Sequence, residues 1–432
     1  MFRKFAICLA FVLVGCSGTK EDLSPQEGKY FIKALGSNVD PKDIISSVFG
    51  KNIKLDKGVA EYRSGSFEVK TSEIKSHHTG SGWNSDVSIF SEIESTPKGN
   101  IIVNDKGQIT LLDKDFRTIW TVNFSKNKSF CSNTSISTKD GIAVASCGTN
   151  IIKAFDVNNN GTVLWERELD VAVNSKPLIV QDKVVVFSKT DSAYCVELQS
   201  GKVQWVIPSI VNTNHRTISA TRPIAFGNSI IQQTSTDQIR AINVMRGDIE
   251  WISSGANTTE FVKGKDFMNE YGVFAFDPSD SSIYFNNSDG FIIKIKLGSD
   301  KPDWMIPMVS SKPVWLLNDR VIILNDVGAL MCVSKANGEV LWRNNLYEKL
   351  LGDRKKSKFF RASYNDILLS EPIVLNDKIF ITSSDKRGIS VDPMTGNIVE
   401  IKRFDESIFG KPSVINKKFY VITNNGNKII EF

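Results

Sequence analysis

Short apolar runs separated by polar turns fill most of this chain, and they fall into one repeated order. A proline opens a unit, followed by an apolar run, a polar turn, a second apolar run and a turn of Gly, Asn, Asp or Ser. KPLIVQDKVVVFSKTDSAYCVEL from Lys176, RPIAFGNSIIQQTSTDQIRAINV from Arg222 and KPVWLLNDRVIILNDVGALMCVS from Lys312 are three copies. EPIVLNDKIFITSSDKRGISVDP from Glu371 and KPSVINKKFYVITNNGNKIIEF from Lys411 continue the series. Apolar runs of this length bounded by turn residues predict strands. Apart from a short helix expected near 40–48, no stretch keeps a helical period. Each unit thus predicts four antiparallel strands: two before the Gly/Asp turn, one after it, and one that ends in a tryptophan.

That ending is itself a repeated phrase. AFDVNNNGTVLW closes at Trp165, CVELQSGKVQW at Trp205, AINVMRGDIEW at Trp251 and CVSKANGEVLW at Trp342, while SVDPMTGNIVE closes at Glu400. With Trp120 and Trp304 this gives seven closing positions, and an eighth unit runs from Lys411 to Phe432. The spacing is near the roughly 40–45 residues of a propeller blade. The expected fold is therefore all-β, an eight-bladed propeller with four-stranded blades. The last unit stops after its third strand, at NKIIEF. The segment GVAEYRSGSFEVKTSEI, from Gly58 to Ile74, is expected to supply the missing strand and close the ring, removing an exposed sheet edge.

A glycine stands four residues before the closing position in Gly161, Gly201, Gly247, Gly338 and Gly396. Glycine there suits a tight turn into the outer strand, where positive φ costs it little. An indole on that strand can wedge between blades, removing about 150–250 Å² from water, worth about 4–6 kcal/mol before entropy. These tryptophans and glycines are accordingly expected to be structural.

Composition adds two facts. Hydrophobic residues at 41% and charged residues at 23% are those of a globular chain, and the net charge of +5 is spread along it. The densest basic run, Arg354-Lys355-Lys356-Ser357-Lys358, is read as a solvated loop, with contact to anionic lipid or a partner as the alternative. No base-stacking motif accompanies it, so nucleic acid is not an expected partner.

The N-terminus begins MFRK, continues FAICLAFVLV and ends Leu13-Val14-Gly15-Cys16. A basic start and a short apolar core predict a secretory signal over 1–15. Leu-x-Gly-Cys resembles the bacterial lipobox, which implies cleavage before Cys16, acylation of its thiol and new amine, and attachment to the bilayer. Ser17 in second place, by analogy with enteric lipoproteins, implies the outer membrane. Residues 16–57 are expected to be the anchored tether and a linker, and 58–432 the propeller.

Cys131 and Cys147 are predicted on consecutive strands with the turn at Lys139–Asp140, which places them nearly opposite each other. A disulfide is expected in an oxidising compartment, with reduced, packed thiols as the alternative. Cys195 and Cys332 stand ten residues before a repeat tryptophan, where other units place Ala241 or Ser390. That marks a small buried position and inert thiols.

The inventory of reactive groups is thin. Three histidines occur, His77, His78 and His215, and the adjacent pair, followed by Thr-Gly-Ser-Gly, is read as an exposed loop. No HExxH, CxxC, GxSxG or P-loop is found, so no catalytic residue, metal or cofactor is expected. The repeat is similar to that of pyrroloquinoline-quinone-dependent dehydrogenases, but their vicinal Cys-Cys is missing. Lipobox, tether and eight such units together resemble the propeller lipoprotein subunit of the bacterial outer-membrane β-barrel assembly machinery. The resemblance implies a non-enzymatic scaffold on the periplasmic face of the outer membrane, which binds the periplasmic domains of the central barrel subunit and assists unfolded barrel precursors. It further implies a partner-binding arginine, matched by Arg216, with acidic residues in the next inter-blade segment, where Asp266 and Glu270 stand. The aliphatic companions of that arginine are Thr213 and His215 here. Ordinary rim charges are the alternative for all three. Blade edges could instead receive an extended strand. A quinoprotein-like dehydrogenase, or a lipoprotein binding a small molecule or glycan in a central channel, is the alternative function.

Overall fold

In the computed structural model, which describes residues 75–78 and most of 93–431, the chain forms eight four-stranded antiparallel sheets. The longest stretches outside that description are 210–222, 254–273 and 351–366. The first sheet takes Glu94–Thr96, Gly99–Val103, Gln108–Leu112 and Thr118–Asn123. The next six occupy 135–168, 178–207, 224–253, 274–307, 315–345 and 373–403. Each of these contains one predicted unit, with the closing position inside the fourth strand instead of at its end. Among the described residues no helix is long and apolar enough to cross a membrane.

The eighth sheet corrects one expectation. Ser413–Ile415, Lys418–Ile422 and Lys428–Glu431 are joined by Lys75–His78 as fourth strand, with Lys75 opposite Glu431 and His78 opposite Lys428. The strand expected within 58–74 lies outside the described residues, and the pairing strand follows it directly. His77 and His78 are therefore strand residues, opposite Ile429 and Lys428, and not the loop their Gly-rich sequel suggested. The helix expected at 40–48, the signal, the tether, Cys16 and the basic run at 354–358 all lie outside the described residues.

The apolar runs follow from how the sheets stack. Second and third strands are buried on both faces, as in Ile142–Ser146 and Lys183–Phe187. Fourth strands such as Thr162–Glu168 face outward and bury little besides the tryptophan. First strands of adjacent sheets approach one another on the inner side. Each core cluster belongs to a pair of consecutive sheets. Trp120 and Phe155 mark the cluster between first and second, and Trp342 with Ile381 that between sixth and seventh. Ile102, Leu112 and Phe116 of the first sheet pack on Tyr420, Ile422 and Ile429 of the eighth. The Phe116 and Tyr420 rings lie 4.9 Å apart, and the Ile93 amide donates to Ser413 Oγ at 3.2 Å.

Two recurrent devices set the strand ends. At the turn after the second strand a polar side chain accepts from the amide four residues on: Asn104 from Gln108, Ser188 from Ser192, Thr234 from Gln238, Asn287 from Phe291 and Asn325 from Ala329. Such side chains turn the backbone without regular strand pairing. A bulge also adjoins the closing position in each third–fourth pair of the first seven sheets: Cys195 pairs with Trp205 but Val196 with Val203, so the extra residue stands just before the closing position. Bulges add local twist and re-aim the neighbouring side chains.

The cysteine hairpin turns at Asp140 and Gly141, both with positive φ, so Lys139 pairs with Ile142 and Ser135 with Ser146. This register differs from the one expected from a turn at Lys139–Asp140. Extended straight, it would set Cys147 against Thr134. Cys131 instead reaches Cys147 from the connection ahead of Ser135, and the sulfurs are bonded with Cα atoms 4.9 Å apart.

Candidate functional site: inter-sheet keys and the rim of long connections

The repeated glycine and tryptophan that meet belong to different sheets. Gly161, Gly201, Gly247, Gly338 and Gly396 have φ between 65° and 79°, and each lies against the indole of the preceding sheet. A Cβ at Gly201 would fall 2.6 Å from the Trp165 ring, and one at Gly247 2.8 Å from that of Trp205. Glycine is thus required twice, by a conformation that L side chains rarely adopt and by the indole that fills the place of a side chain. The sequence makes the first cause visible and hides the second.

The indole N–H completes each contact. Trp120 donates to the Val157 carbonyl, Trp165 to Leu198, Trp205 to Val244, Trp304 to Lys335 and Trp342 to Pro393, at 2.7–3.3 Å. These carbonyls lie in the same turns as the glycines, so ring and N–H are received together. Burying an aromatic while satisfying its polar atom is what makes such a contact favourable. Around the eighth sheet the pattern changes. Glu400 takes the closing place in the seventh sheet. In the first sheet Phe116, with φ 62°, stands where the socket glycine would be.

Opposite the indoles, on the third strand, sit Ala154, Cys195, Ala241 and Cys332, and Ser390 faces Glu400. Cys195 and Cys332 are fully buried. Burial pushes the Cys195 thiol up to about 12, against the opposing effect of Lys183, and pushes Cys332 up as well. Leu111 and Lys294 depart from the small-residue rule. Lys294, buried opposite Trp304, donates to Asp280 at 3.0 Å and to the Lys335 carbonyl at 3.1 Å, with Asp303 at 3.6 Å. Beside it Lys335 pairs with Asp277. Burial alone would raise the Asp277 carboxyl, but hydrogen bonds from Lys335 and Ser279 outweigh it and hold the group below its ordinary value. Removing one member of such a buried pair is costly, because the other charge is left uncompensated.

Because strand directions alternate, every connection from a fourth strand to the next first strand leaves on the rim opposite the glycine turns. Arg216 belongs to the connection between Ile207 and Ile224, and Asp266 and Glu270 to that between Ser253 and Phe274. All three lie outside the described residues. The strand ends that bracket them start and finish both connections on this rim, one on each side of the fourth sheet. Near the inner strands of the same rim, Lys176 pairs with Glu94 and so links the entry of the third sheet to the first. Among the described residues no group of three or more His, Cys, Asp or Glu is arranged to hold a metal ion.

A family model described as outer membrane protein assembly factor BamB matches residues 105–344 and 288–399, more than half of the chain. An uncharacterized protein of Rickettsia prowazekii (strain Madrid E) is 21% identical over 300 residues, covering 67% of this chain and 71% of its own. The outer membrane protein assembly factor BamB of Shewanella oneidensis is 21% identical over 272 residues, covering 62% of this chain and 63% of its own. The crystal structure of BamB from Moraxella catarrhalis superposes with a TM-score of 0.63 at 16% identity, covering 83% of this chain and 98% of that one. A europium-containing methanol dehydrogenase superposes at 0.58 with 12% identity, over 82% of this chain and 85% of that one. These likenesses support a β-propeller fold with quinoprotein-type repeats. By its match to the family model, the chain belongs to the BamB family of outer membrane protein assembly factors.

Proposed function

We propose that this protein is a non-enzymatic scaffold of the outer-membrane β-barrel assembly machinery, a closed ring of eight blades held to the periplasmic face of the outer membrane by an acylated Cys16. The observation that carries this reading is the BamB family match across the repeat array. The lipobox at Leu13–Cys16 supports the anchor. Closure is supported by the strand Lys75–His78 pairing with Lys428–Glu431, and by the packing of Phe116 on Tyr420. In this reading 1–15 is removed, 16–57 spans from lipid to ring, and 58–432 forms the propeller. Arg216, Asp266 and Glu270 bind the periplasmic domains of the central barrel subunit, and unfolded barrel precursors are the cargo. An arginine with carboxylates on a neighbouring segment suits this task, since arginine is enriched where binding energy concentrates.

The likeness to a methanol dehydrogenase favours a second reading, a quinoprotein-like enzyme or ligand-binding propeller, but at 12% identity it concerns the fold alone. Co-purification from detergent-solubilised membranes separates the two. The chain with its tether intact should carry the central barrel subunit with it, and Arg216→Glu should abolish this while the protein stays in the membrane fraction. Cys16→Ala should release it from that fraction. Absence of the barrel subunit from the wild-type eluate would overturn the scaffold reading. Unchanged association in Arg216→Glu would overturn only the assignment of that residue.

A further inference from the structure

Two of the five glycine sockets follow an asparagine. Asn160 precedes Gly161 and Asn337 precedes Gly338, where the other three have Ser200, Arg246 and Thr395. A third Asn-Gly pair, Asn425-Gly426, lies outside the described residues. Asparagine suits such a turn, because its side chain bonds to nearby backbone. The same pair carries a chemical liability, since glycine has no side chain to shield its amide nitrogen from the asparagine carbonyl beside it. That nitrogen, once deprotonated, attacks Cγ. The new N–C bond closes a five-membered imide, and the side-chain nitrogen leaves as ammonia. Water then opens either carbonyl of the imide, giving aspartate or isoaspartate. Water is consumed and ammonia released, and no other reactant is needed.

In both turns the asparagine is exposed and the glycine buried, so water and base reach the electrophile while the nucleophile is enclosed. The Gly338 amide donates to the Ser334 carbonyl at 2.9 Å, and the Gly161 amide to that of Asp156 at 3.0 Å. An N–H held on a carbonyl is hard to deprotonate. The indoles add a second restraint. A Cβ at Gly338 would lie 2.9 Å from the Trp304 ring, and one at Gly161 3.0 Å from that of Trp120. Neither backbone can swing onto the asparagine side chain while its key is seated. The sixth-sheet turn is tied further, because its Lys335 carbonyl accepts from Trp304 Nε1 and from Lys294 Nζ, both at 3.1 Å. Asn337 Oδ1 accepts from the Glu339 amide at 3.1 Å, a donor placed to stabilise the charge that this oxygen takes on during attack. The reaction is primed at this turn, and the seated key withholds it.

We propose that Asn160 and Asn337 are sites of self-modification by deamidation, each withheld by the tryptophan key seated on the glycine that follows it. Isoaspartate routes the main chain through the former side chain and adds a carbon to the turn. The glycine then no longer lies under the indole, and the key cannot be reseated. Modification thus records that an interface has opened. Full-length protein incubated at mildly alkaline pH, digested and read by mass spectrometry tests this. The mass gain of amide to acid should appear at both sites about tenfold or more faster in urea than in the folded protein, because the reaction runs from the opened turn. Trp304→Phe, which removes the bond to the Lys335 carbonyl, should speed the gain at Asn337 by about threefold to tenfold and leave Asn160 unchanged. Trp120→Phe should do the reverse, through loss of the bond to Val157. Asn337→Gln should abolish the gain at that position. Equal rates in folded and urea-unfolded protein would overturn the gating, as would acceleration of both sites by either variant alone. No mass gain at either site in the folded variants would overturn the sites themselves. Protein carrying isoaspartate at 337 should exchange its amides faster across Pro302–Pro307 than unmodified protein, and unchanged exchange there would overturn the loss of the key.

Discussion

At the scale of single residues, a glycine repeated at fixed distance from a tryptophan has two separable causes, and substitution tells them apart. Gly227 has φ 59° and open space around it, whereas Gly396 has φ 69° and the Trp342 ring where a side chain would go. Gly227→Ala should destabilise by about 1–2 kcal/mol, the cost of a left-handed backbone alone. Gly396→Ala should add the cost of overpacking, for about 2–5 kcal/mol in all. Urea unfolding midpoints compare them, and equal losses would mean that the indole does not depend on the socket. A charged residue gives a second prediction. Because Asp277 holds its proton less tightly folded than unfolded, its contribution is full above the ordinary value of 3.8 and fades as pH falls through the lower folded value. Asp277→Asn should therefore show a shallower fall of thermal midpoint in acid than the parent protein, and an unchanged acid limb would remove Asp277 from the account. The glycines and tryptophans are legible in the sequence because they repeat. Phe116 is not, since the pattern asks for glycine at its position and gives no reason to look for a ring.

At the scale of strands and hairpins, the sequence is legible where burial is two-sided. Val184, Val185 and Val186 announce a strand because neighbouring sheets cover both its faces. The fourth strand of the eighth sheet shows the opposite case. Lys75-Ser76-His77-His78 carries no apolar residue, so nothing in its own composition marks it. Only its partner strand and the missing place in the count point to it, and the more β-like segment just before it draws the expectation instead. The register shift just before each closing position is also illegible, since a bulge leaves no residue signature there. For the cysteine hairpin, the structure makes a direct prediction. The bond from Cys131 to Cys147 spans a sequence separation of 16, and closing a loop of that size should stabilise by about 3 kcal/mol. Reduction should lower the thermal midpoint and expose two thiols to alkylation on unfolding. A mass already showing free thiols in the native protein would refute the bond.

At the scale of the whole molecule, the edge of Lys428–Glu431 is covered by a strand from the other end of the chain. A protein beginning after His78 should lose that cover and associate through the bared edge, while one beginning near residue 58 should not. Sedimentation of the two truncations decides the matter, and identical monomeric behaviour would show that the strand is dispensable. The keys have a direction: the second, third and sixth sheets each give a ring to the sheet after and receive one from the sheet before. A head-to-tail contact of that sort could in principle be continued by another molecule, yielding fibres where the rotation does not close. This chain is blunted at both ends of the series. Glu400 offers a carboxylate where the next ring would be, and Phe116 stands at the first socket position with its ring against Tyr420. Both positions face the eighth sheet, which packs on the seventh and on the first, so the series of rings and hollows ends against the one sheet that joins distant parts of the chain.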